Sequence, residues 1–375
     1  MAVSTGLGEL AWRPVAALVR RADPMTAHTR TVSLLRTADR LPLAERLGSL
    51  VRDASLPPNP VRVGGVDLPY PLIVAAGLVK GDGFADEAAA LAAVRRGQDV
   101  VPGWRSLPAL AGPVEYGSYT RRPRLGEQGR VLWRDFDGGW MQNRVGLRNP
   151  GARAAAAFLG AHAADLPAVW GLNIAASPGL DDPGRSQAEV VEAASIFATA
   201  FEGLEAGPSW LTLNLSCPNT EDDPRGLQSW ALARALCAGL GQVLGVPLWV
   251  KVGPDLSDKQ LTRLVEVFAE AGVEAVVATN TLAQPDPDGT GSAGVSGSRL
   301  RPLALDTAAR LKRAIDVSGA PLDIVASGGI LSGNDLRAFR DAGAVAAMLY
   351  TALVLRGPLA AALILREAGL GDTHA

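Results

Sequence analysis

The feature that most constrains the fold of this chain is a regular alternation of strand-like and helix-like segments from residue 70 onward. Short β-branched or apolar runs alternate with segments of helical periodicity, which is typical of βα units around a parallel sheet. The predicted strands are Leu72–Ala76, Val114–Ser118, Val169–Ile174, Trp210–Leu215, Leu248–Val252, Ala275–Ala278, Asp323–Ala326 and Ala346–Tyr350. The predicted helices cover residues 84–96, 150–163, 187–204, 228–243, 257–271, 303–315, 333–342 and 358–368.

Eight such strands, each followed by a helix, predict a (β/α)₈ barrel, with a doubly wound sheet as the alternative. In a barrel of this kind the active site lies where the strands end and the βα loops begin. Polar residues concentrate at those ends, for example in GSYTRRPR after the second strand, LNLSCPNT at the fourth and ATNT at the sixth. We therefore expect the functional site at the carboxyl end of the barrel.

Composition narrows the classes of protein that fit. A chain that is 48% hydrophobic and 20% charged supports a folded core. Two cysteines and three histidines without ligand spacing argue against a disulfide framework and a metal site. The net charge of −2 argues against nucleic acid as a partner. The longest almost uninterrupted apolar run, Ala342–Leu355, is shorter than the roughly 18 residues that cross a bilayer.

The segment ahead of the barrel forms a separate unit in this reading. Residues 1–52 are predicted to be a helical extension, with amphipathic helices over 7–21 and 25–38, and residues 60–375 are predicted to be the barrel domain. The apolar stripe of the first helix suits either capping of the barrel or docking on a membrane. The first 60 residues hold eight arginines against five acidic residues, which favours an anionic surface. Residues 61–68 are predicted to be a hairpin that closes the barrel floor.

Two loop sequences carry chemistry of their own. Gly328 and Gly329 follow the seventh strand, where backbone N–H groups can approach a phosphate. Cys217 lies between Asn214 and Asn219 at the end of the fourth strand, and its thiolate can serve as a general base. Cys237 falls inside a helical run and is interpreted as an inert buried thiol.

A series of motifs in order carries a family resemblance. The motifs are AAGL-x-K, NR-x-G, LN-x-SCPNT, VK-x-x-PDLS, ATNT, G-x-SG, GGI-x-SG and YTALV-x-x-GP. From about residue 20 to 360 the chain resembles dihydroorotate dehydrogenase, and RRADPMTAH followed by LLR resembles the N-terminal helices of the membrane-associated, quinone-using class 2 enzymes.

The resemblance implies an FMN-dependent oxidation of dihydroorotate to orotate in pyrimidine biosynthesis, with electrons passed to a quinone. It implies that Cys217 removes the C5 proton while C6 delivers hydride to flavin N5. The positions that match pyrimidine-binding residues are Lys80, Asn143, Asn214, Asn219, Asn280 and Thr281. The positions that match FMN-binding residues are Ala76, Gly77, Asn173, Lys251, Gly297, Gly328, Gly329, Tyr350 and Thr351.

Several positions depart from the family pattern. Class 2 enzymes typically use serine where this chain has Cys217, and cysteine is the choice of the soluble class 1. Val79 stands in place of the usual aspartate, Arg148 in place of asparagine, and Ala175-Ala176-Ser177 in place of Gly-Lys-Asn. A segment near residues 95–110 is interpreted as an insertion, and the acidic run Glu221, Asp222 and Asp223 follows Asn219.

These departures leave two rival hypotheses beside the dihydroorotate dehydrogenase reading. The first rival keeps the barrel and FMN but changes the substrate to another dihydropyrimidine-like or enone compound. The second is a non-catalytic barrel that either docks peripherally on a membrane or binds a phosphate-bearing ligand. On each reading we expect a cytoplasmic protein, and quinone use places it peripherally on the cytoplasmic face of the membrane.

Overall fold

The computed structural model describes residues 12, 14–56, 58–180, 182–215, 230–241 and 243–370. Eight parallel strands close into a barrel. In order around it these strands are β3 (Leu72–Val74), β4 (Val114–Tyr119), β7 (Trp170–Ala175), β8 (Trp210–Asn214), β9 (Leu248–Val252), β10 (Ala275–Ala278), β13 (Asp323–Ser327) and β14 (Ala346–Leu349). The predicted (β/α)₈ barrel is confirmed, and the alternative of a doubly wound sheet is wrong.

Helices surround the barrel and precede it. They are α1 (14–21), α2 (Pro24–Asp39), α3 (Pro42–Ser55), α4 (Glu87–Arg95), α5 (Ser106–Ala111), α6 (Ala152–Ala161), α7 (Pro183–Phe201), α8 (Trp230–Leu240), α9 (Asp258–Glu270), α10 (Arg301–Ser318), α11 (Gly333–Asp341), α12 (Thr351–Arg356) and α13 (Ala360–Glu367). Among the parts of the chain described, no helix is both long and apolar enough to cross a bilayer.

Helix α9 shows why these segments become barrel helices. The Ser257 hydroxyl accepts the backbone N–H of Gln260, and the Gln260 side chain accepts the backbone N–H of Ser257, so the first turn is capped reciprocally. Leu261, Leu264, Val265 and Phe268 recur at helical spacing and are buried in the main hydrophobic core. The same sequence pattern that predicted the helix therefore supplies both its start and its packing face.

The barrel floor is closed by a hairpin, as predicted. Strands β1 (Val61–Val63) and β2 (Val66–Leu68) pair antiparallel. The Gly64 N–H donates to Asp323 Oδ2 at 2.7 Å, and Trp249 Nε1 donates to the Gly64 carbonyl at 2.9 Å. Above the hairpin the rings of Trp210 and Trp249 stack with centroids 4.7 Å apart. The lower half of the barrel is thus filled by side chains rather than by a pore.

A second sheet, which the sequence analysis did not predict, lies beyond the barrel strands. It is antiparallel, in the order β11 (Leu282–Pro285), β12 (Ser292–Gly297), β6 (Trp140–Asn143) and β5 (Leu132–Asp135). Gln142 anchors it, since its Nε2 donates to the carbonyls of Gln284, Pro285 and Ala293 at 2.9–3.3 Å. This sheet carries Asn143 and Ser296 to the mouth of the barrel.

The N-terminal extension contains a third helix, α3, that the sequence analysis missed. Helix α3 packs against α5, and α5 lies in the segment that the sequence analysis interpreted as an insertion. Asp39 at the end of α2 accepts the backbone N–H groups of Gly103 at 2.5 Å and Ser106 at 2.8 Å. Arg105 pairs with Glu45 of α3 at 2.7 Å. The inserted segment therefore joins the helical extension to the barrel.

Candidate active site

A cavity of about 650 Å³ opens at the carboxyl end of the barrel strands, where the sequence analysis placed the site. The predicted site residues that line it are Ala76, Gly77, Lys80, Asn143, Asn214, Lys251, Asn280, Thr281, Gly328, Gly329, Tyr350 and Thr351. The barrel thus brings most of the predicted pyrimidine-binding and flavin-binding positions to one cavity. Their roles in binding stay predictions.

The other predicted residues fall in three places. Asn173 is fully buried on β7, beneath the cavity rather than on its wall. Gly297 ends β12 directly behind Thr351, whose Cγ2 atom would lie 3.1 Å from a Cβ added at Gly297. Cys217 and Asn219 belong to residues 216–229, outside the part of the chain that the structure describes, as does the acidic run after them.

One end of the cavity is suited to a phosphate. Gly328 and Gly329 follow β13, and Thr351 begins α12, where the first N–H groups of a helix have no partner in the helix. Gly329 has a φ of +79°, and a Cβ there would lie 2.5 Å from the Gly297 carbonyl oxygen, so only glycine fits. The Thr351 hydroxyl donates to Ser296 Oγ at 3.0 Å, which adds two hydroxyl groups to this end.

The other end is lined by amides. Asn280 Nδ2 donates to Asn214 Oδ1 at 3.4 Å, and Asn214 Nδ2 donates to Ser118 Oγ at 3.2 Å. Asn280 Oδ1 in turn accepts the backbone N–H of Thr281 at 2.9 Å. The amide orientations are therefore fixed by one another and by the backbone before any ligand enters. Fixed donors and acceptors of this kind suit the carbonyl and N–H groups of a pyrimidine ring.

Ser118 and Thr279 line the cavity but were not selected from the sequence. Ser118 lies near the end of β4 and Thr279 directly follows β10, and both strands were predicted. Their position at a strand end was the available signal, but a lone hydroxyl residue at a strand end is too common to single out. The partner of Ser118, Asn214, lies 96 residues away in the chain, so only the fold brings them together.

The family departures have clear locations. Val79 is fully buried in the core rather than in the cavity. Ser177 is tied to α7, because its hydroxyl donates to Glu189 Oε1 at 2.5 Å and its N–H to Oε2 at 2.7 Å. Arg148 lines the cavity, with its guanidinium 4.0 Å from Asp82. Of these substituted positions, Arg148 is the one that lines the cavity, and it adds a positive charge there.

Helix α2 forms the outer wall of the cavity through Met25, His28, Val32 and Arg36. Arg36 joins this wall to the barrel through an ion pair with Asp82 at 2.6 Å. His28 keeps contact with water, yet the surrounding walls remove part of its hydration and lower its pKa, and the charges of Lys80 and Arg148 lower it further. Both effects favour the neutral imidazole, which can donate and accept a hydrogen bond.

The fold and the cavity together define an enzyme-type (β/α)₈ barrel, since its polar groups converge at the carboxyl end of the strands. A family model for dihydroorotate dehydrogenase matches residues 60–369. The chain is 35% identical to a dihydroorotate dehydrogenase (quinone) of Salinispora arenicola, with 80% of this chain and 81% of the relative covered. It is 30% identical to that of Chromobacterium violaceum, with 80% and 82% covered.

The same fold occurs in a solved structure of DHODH from Eimeria tenella in complex with ferulenol. The two chains superpose with a TM-score of 0.73 at 23% identity, and the match covers 94% of each. The chain belongs to the dihydroorotate dehydrogenase family. It is an oxidoreductase that acts on a CH–CH bond with a flavin as cofactor.

Proposed function

We propose that the cavity binds FMN and dihydroorotate together, that Cys217 is the general base, and that the electrons leave to a quinone that enters along α2. Family membership assigns the overall reaction, the oxidation of dihydroorotate to orotate in pyrimidine biosynthesis. The observation that carries the proposal is that one cavity holds both the amide-rich set around Asn214 and the glycine-rich set around Gly329.

The residues present fit FMN in particular. The glycine and hydroxyl groups at Gly328, Gly329, Ser296 and Thr351 suit a terminal phosphate. Lys251 lines the cavity beside Asn214, with which it pairs across β8 and β9, and a cation there would stabilise a reduced isoalloxazine. When bound, FMN supplies the hydride acceptor of the reaction.

The protein's own groups orient the substrate and move its proton. Asn143, Asn214 and Asn280 pair with the ring carbonyl and N–H groups, and Lys80 faces the carboxylate. A Cys217 thiolate takes the C5 proton, and a thiol needs less assistance to ionise than the serine hydroxyl of typical class 2 enzymes.

The wall formed by α2 suits a quinone. Met25 and Val32 supply apolar surface, while His28 and Arg36 can donate hydrogen bonds to the quinone oxygens. The names of the relatives, dihydroorotate dehydrogenase (quinone), also support a quinone as the electron acceptor. The acceptor thus reaches the flavin from the side of the helical extension.

The helical extension also suits docking on the cytoplasmic face of a membrane. Leu43, Leu47 and Leu50 recur at helical spacing along α3, yet they are 67%, 53% and 66% exposed. Arg40 and Arg46 are exposed beside them and can meet anionic headgroups. An exposed leucine stripe next to arginines fits an interfacial helix that delivers a membrane quinone to the cavity.

An anaerobic visible spectrum tests the reaction. Dihydroorotate should bleach the flavin band near roughly 450 nm in the wild-type protein. Cys217→Ala should keep its FMN but bleach about 10²- to 10⁴-fold more slowly, because a general base contributes about that factor. Stopped-flow absorbance measures both rates.

Cys237→Ala is the matched control, since Cys237 is buried in α8 and burial raises the pKa of its thiol to about 12. This variant should bleach at the wild-type rate. A yellow protein that dihydroorotate does not bleach would favour the changed substrate. A protein that cannot bind FMN would overturn both enzyme readings.

A further inference from the structure

A buried carboxylate lies inside the barrel, beneath the cavity. Glu115 on β4 is completely inaccessible to solvent. Its Oε1 accepts a hydrogen bond from Asn173 Nδ2 at 2.8 Å, and its Oε2 accepts hydrogen bonds from Trp210 Nε1 at 3.0 Å and from the Thr212 hydroxyl. All three partners are donors, so a carboxylate, which only accepts, is the group that satisfies them.

The contact with Glu115 fixes which way the Asn173 amide points. Because Nδ2 faces the carboxylate, Oδ1 points to the other side of the Cβ–Cγ bond, away from Glu115. Oδ1 is buried and has no hydrogen-bond partner among the residues that the structure describes. A buried acceptor without a donor is costly, so this position calls for a donor beyond the described residues, such as an N–H group of a bound ligand.

Asn173 lies in the layer directly beneath the cavity. Two residues further along β7, Ala175 pairs with Asn214, which lines the cavity wall. Asn173 itself pairs with Thr212, so the whole Glu115 cluster belongs to the layer below that wall. The unsatisfied acceptor therefore lies next to the space assigned to the flavin.

The cluster is held rigidly from below. Gly171 lies opposite Glu115 across the β4–β7 pair, and a Cβ there would lie 2.0 Å from Trp210 Cε2. The missing side chain leaves room for the indole that reaches Glu115. Trp210 in turn stacks on Trp249, which is bonded to the floor hairpin. Glu115 is thus fixed by the barrel floor.

We propose that Glu115 is a positioning residue for the cofactor, because it holds the Asn173 amide so that its oxygen, not its NH₂ group, is offered to a ring N–H donor of the flavin. The oxidised isoalloxazine carries one such donor, at N3. This inference rests on the proposed binding of FMN. It assigns a role in cofactor binding to a residue that does not line the cavity.

Glu115→Gln tests the proposal, with the dissociation constant of FMN measured by fluorescence titration of the apoprotein. Gln keeps the size but places an NH₂ group among three donors, so the Asn173 amide loses its fixed orientation. The constant should rise about ten- to hundred-fold, the loss expected when a buried polar group is left unpaired. Asn173→Leu, which discards the amide but leaves Trp210 and Thr212 bonded to Glu115, should show a similar loss.

The double variant Glu115→Gln with Asn173→Asp tests orientation itself. The NH₂ group introduced at position 115 donates to the carboxylate introduced at position 173. The oxygen of the same new amide accepts from Trp210 and Thr212, and an acceptor still faces the flavin. The FMN constant should return to within about three-fold of wild type, since every polar group is again paired. A purely structural role for Glu115 gives no reason for this rescue.

Trp249→Phe is the control for general weakening of the floor. It removes the hydrogen bond to the Gly64 carbonyl but keeps an aromatic ring against Trp210, so the hydrogen bonds of Glu115 stay in place. The thermal unfolding temperature of its apoprotein should fall while the FMN constant stays within about two-fold of wild type. Unchanged FMN affinity in Glu115→Gln, or a loss that the double variant does not rescue, would overturn the positioning role alone. Failure of wild type to bind FMN would overturn the proposed function as well.

Discussion

The two ends of the barrel are closed in different ways. The floor is closed by a hairpin packed on the stacked rings of Trp210 and Trp249, within a buried apolar cluster. The mouth is walled by α2, and α2 and α3 are joined to the rest of the chain through charged contacts such as Arg36 with Asp82 and Arg105 with Glu45. Apolar burial stabilises a permanent closure, whereas hydrated ion pairs contribute little. The floor is therefore built for stability and the mouth for access.

The largest expected effect is a loss of stability when the floor of the barrel is disrupted. Trp249→Ala should lower the free energy of unfolding by about 3–5 kcal/mol, because it empties a fully buried site and removes the stack on Trp210. Urea denaturation followed by circular dichroism measures the change. Trp230→Ala is the matched control, since that indole is 50% exposed on α8 and should cost less than about 1 kcal/mol. Equal losses in the two variants would contradict the assignment of the floor as the stabilising end.

The second expected effect concerns membrane binding by the exposed leucines of α3. Joint replacement of Leu43, Leu47 and Leu50 by serine should reduce binding to anionic phospholipid vesicles at least about ten-fold, because three exposed leucines no longer enter the bilayer. Vesicle co-sedimentation measures binding, and urea denaturation should show little change in stability. Leu204 and Val317 are exposed residues of the barrel domain, and changing them to serine is the control, which should leave vesicle binding unchanged. If the triple variant bound vesicles as tightly as wild type, the proposal that α3 docks on the membrane would be wrong.

The same contrast explains how much the sequence could predict. The barrel strands and helices follow local rules, since β-branched runs and 3.6-residue periodicity appear within each segment. The floor hairpin was also predicted, because Gly64 and Gly65 mark a tight turn between short apolar runs. Elements that bury a continuous apolar face can therefore be predicted from sequence.

The mouth was less predictable, for physical reasons. In the antiparallel sheet, β6 pairs with β12, so Asn143 meets Gly294 from about 150 residues further along the chain. Helix α3 presents leucines to solvent, so its stripe did not indicate packing against the barrel. Glu115 gave no signal either, because its partners Asn173 and Trp210 are 58 and 95 residues away. Long-range polar pairing leaves no local pattern.

A third effect concerns how firmly the mouth is held at different pH. Asp99 has its pKa raised to about 7, first by burial and then by the charge of Asp39, against the opposing Val101 N–H and Arg36. A raised pKa means that the folded protein binds the proton more tightly than the unfolded chain. The stabilisation is complete below the ordinary value of 3.8 and is lost as the pH rises through about 7.

The helical extension should therefore be cleaved faster by protease at pH 8 than at pH 6, after correction for the pH profile of the protease. Asp99→Asn should flatten this dependence, because an amide does not ionise. Asp53→Asn, at an exposed acid of α3, should leave it as in wild type. A pH dependence that survives in Asp99→Asn would place its origin elsewhere.

The central claim, that the mouth beside α2 admits the electron acceptor, is tested most directly by blocking that wall. Val32 lines the cavity, whereas Leu34, two residues on, is 70% exposed on the outside of α2. Double-mixing stopped flow measures reduction by dihydroorotate and reoxidation by a quinone separately. Val32→Trp should reduce at the wild-type rate but reoxidise at least about ten-fold more slowly, and Leu34→Trp should do both normally. Wild-type reoxidation in Val32→Trp, or an equal loss in both steps, would contradict the claim.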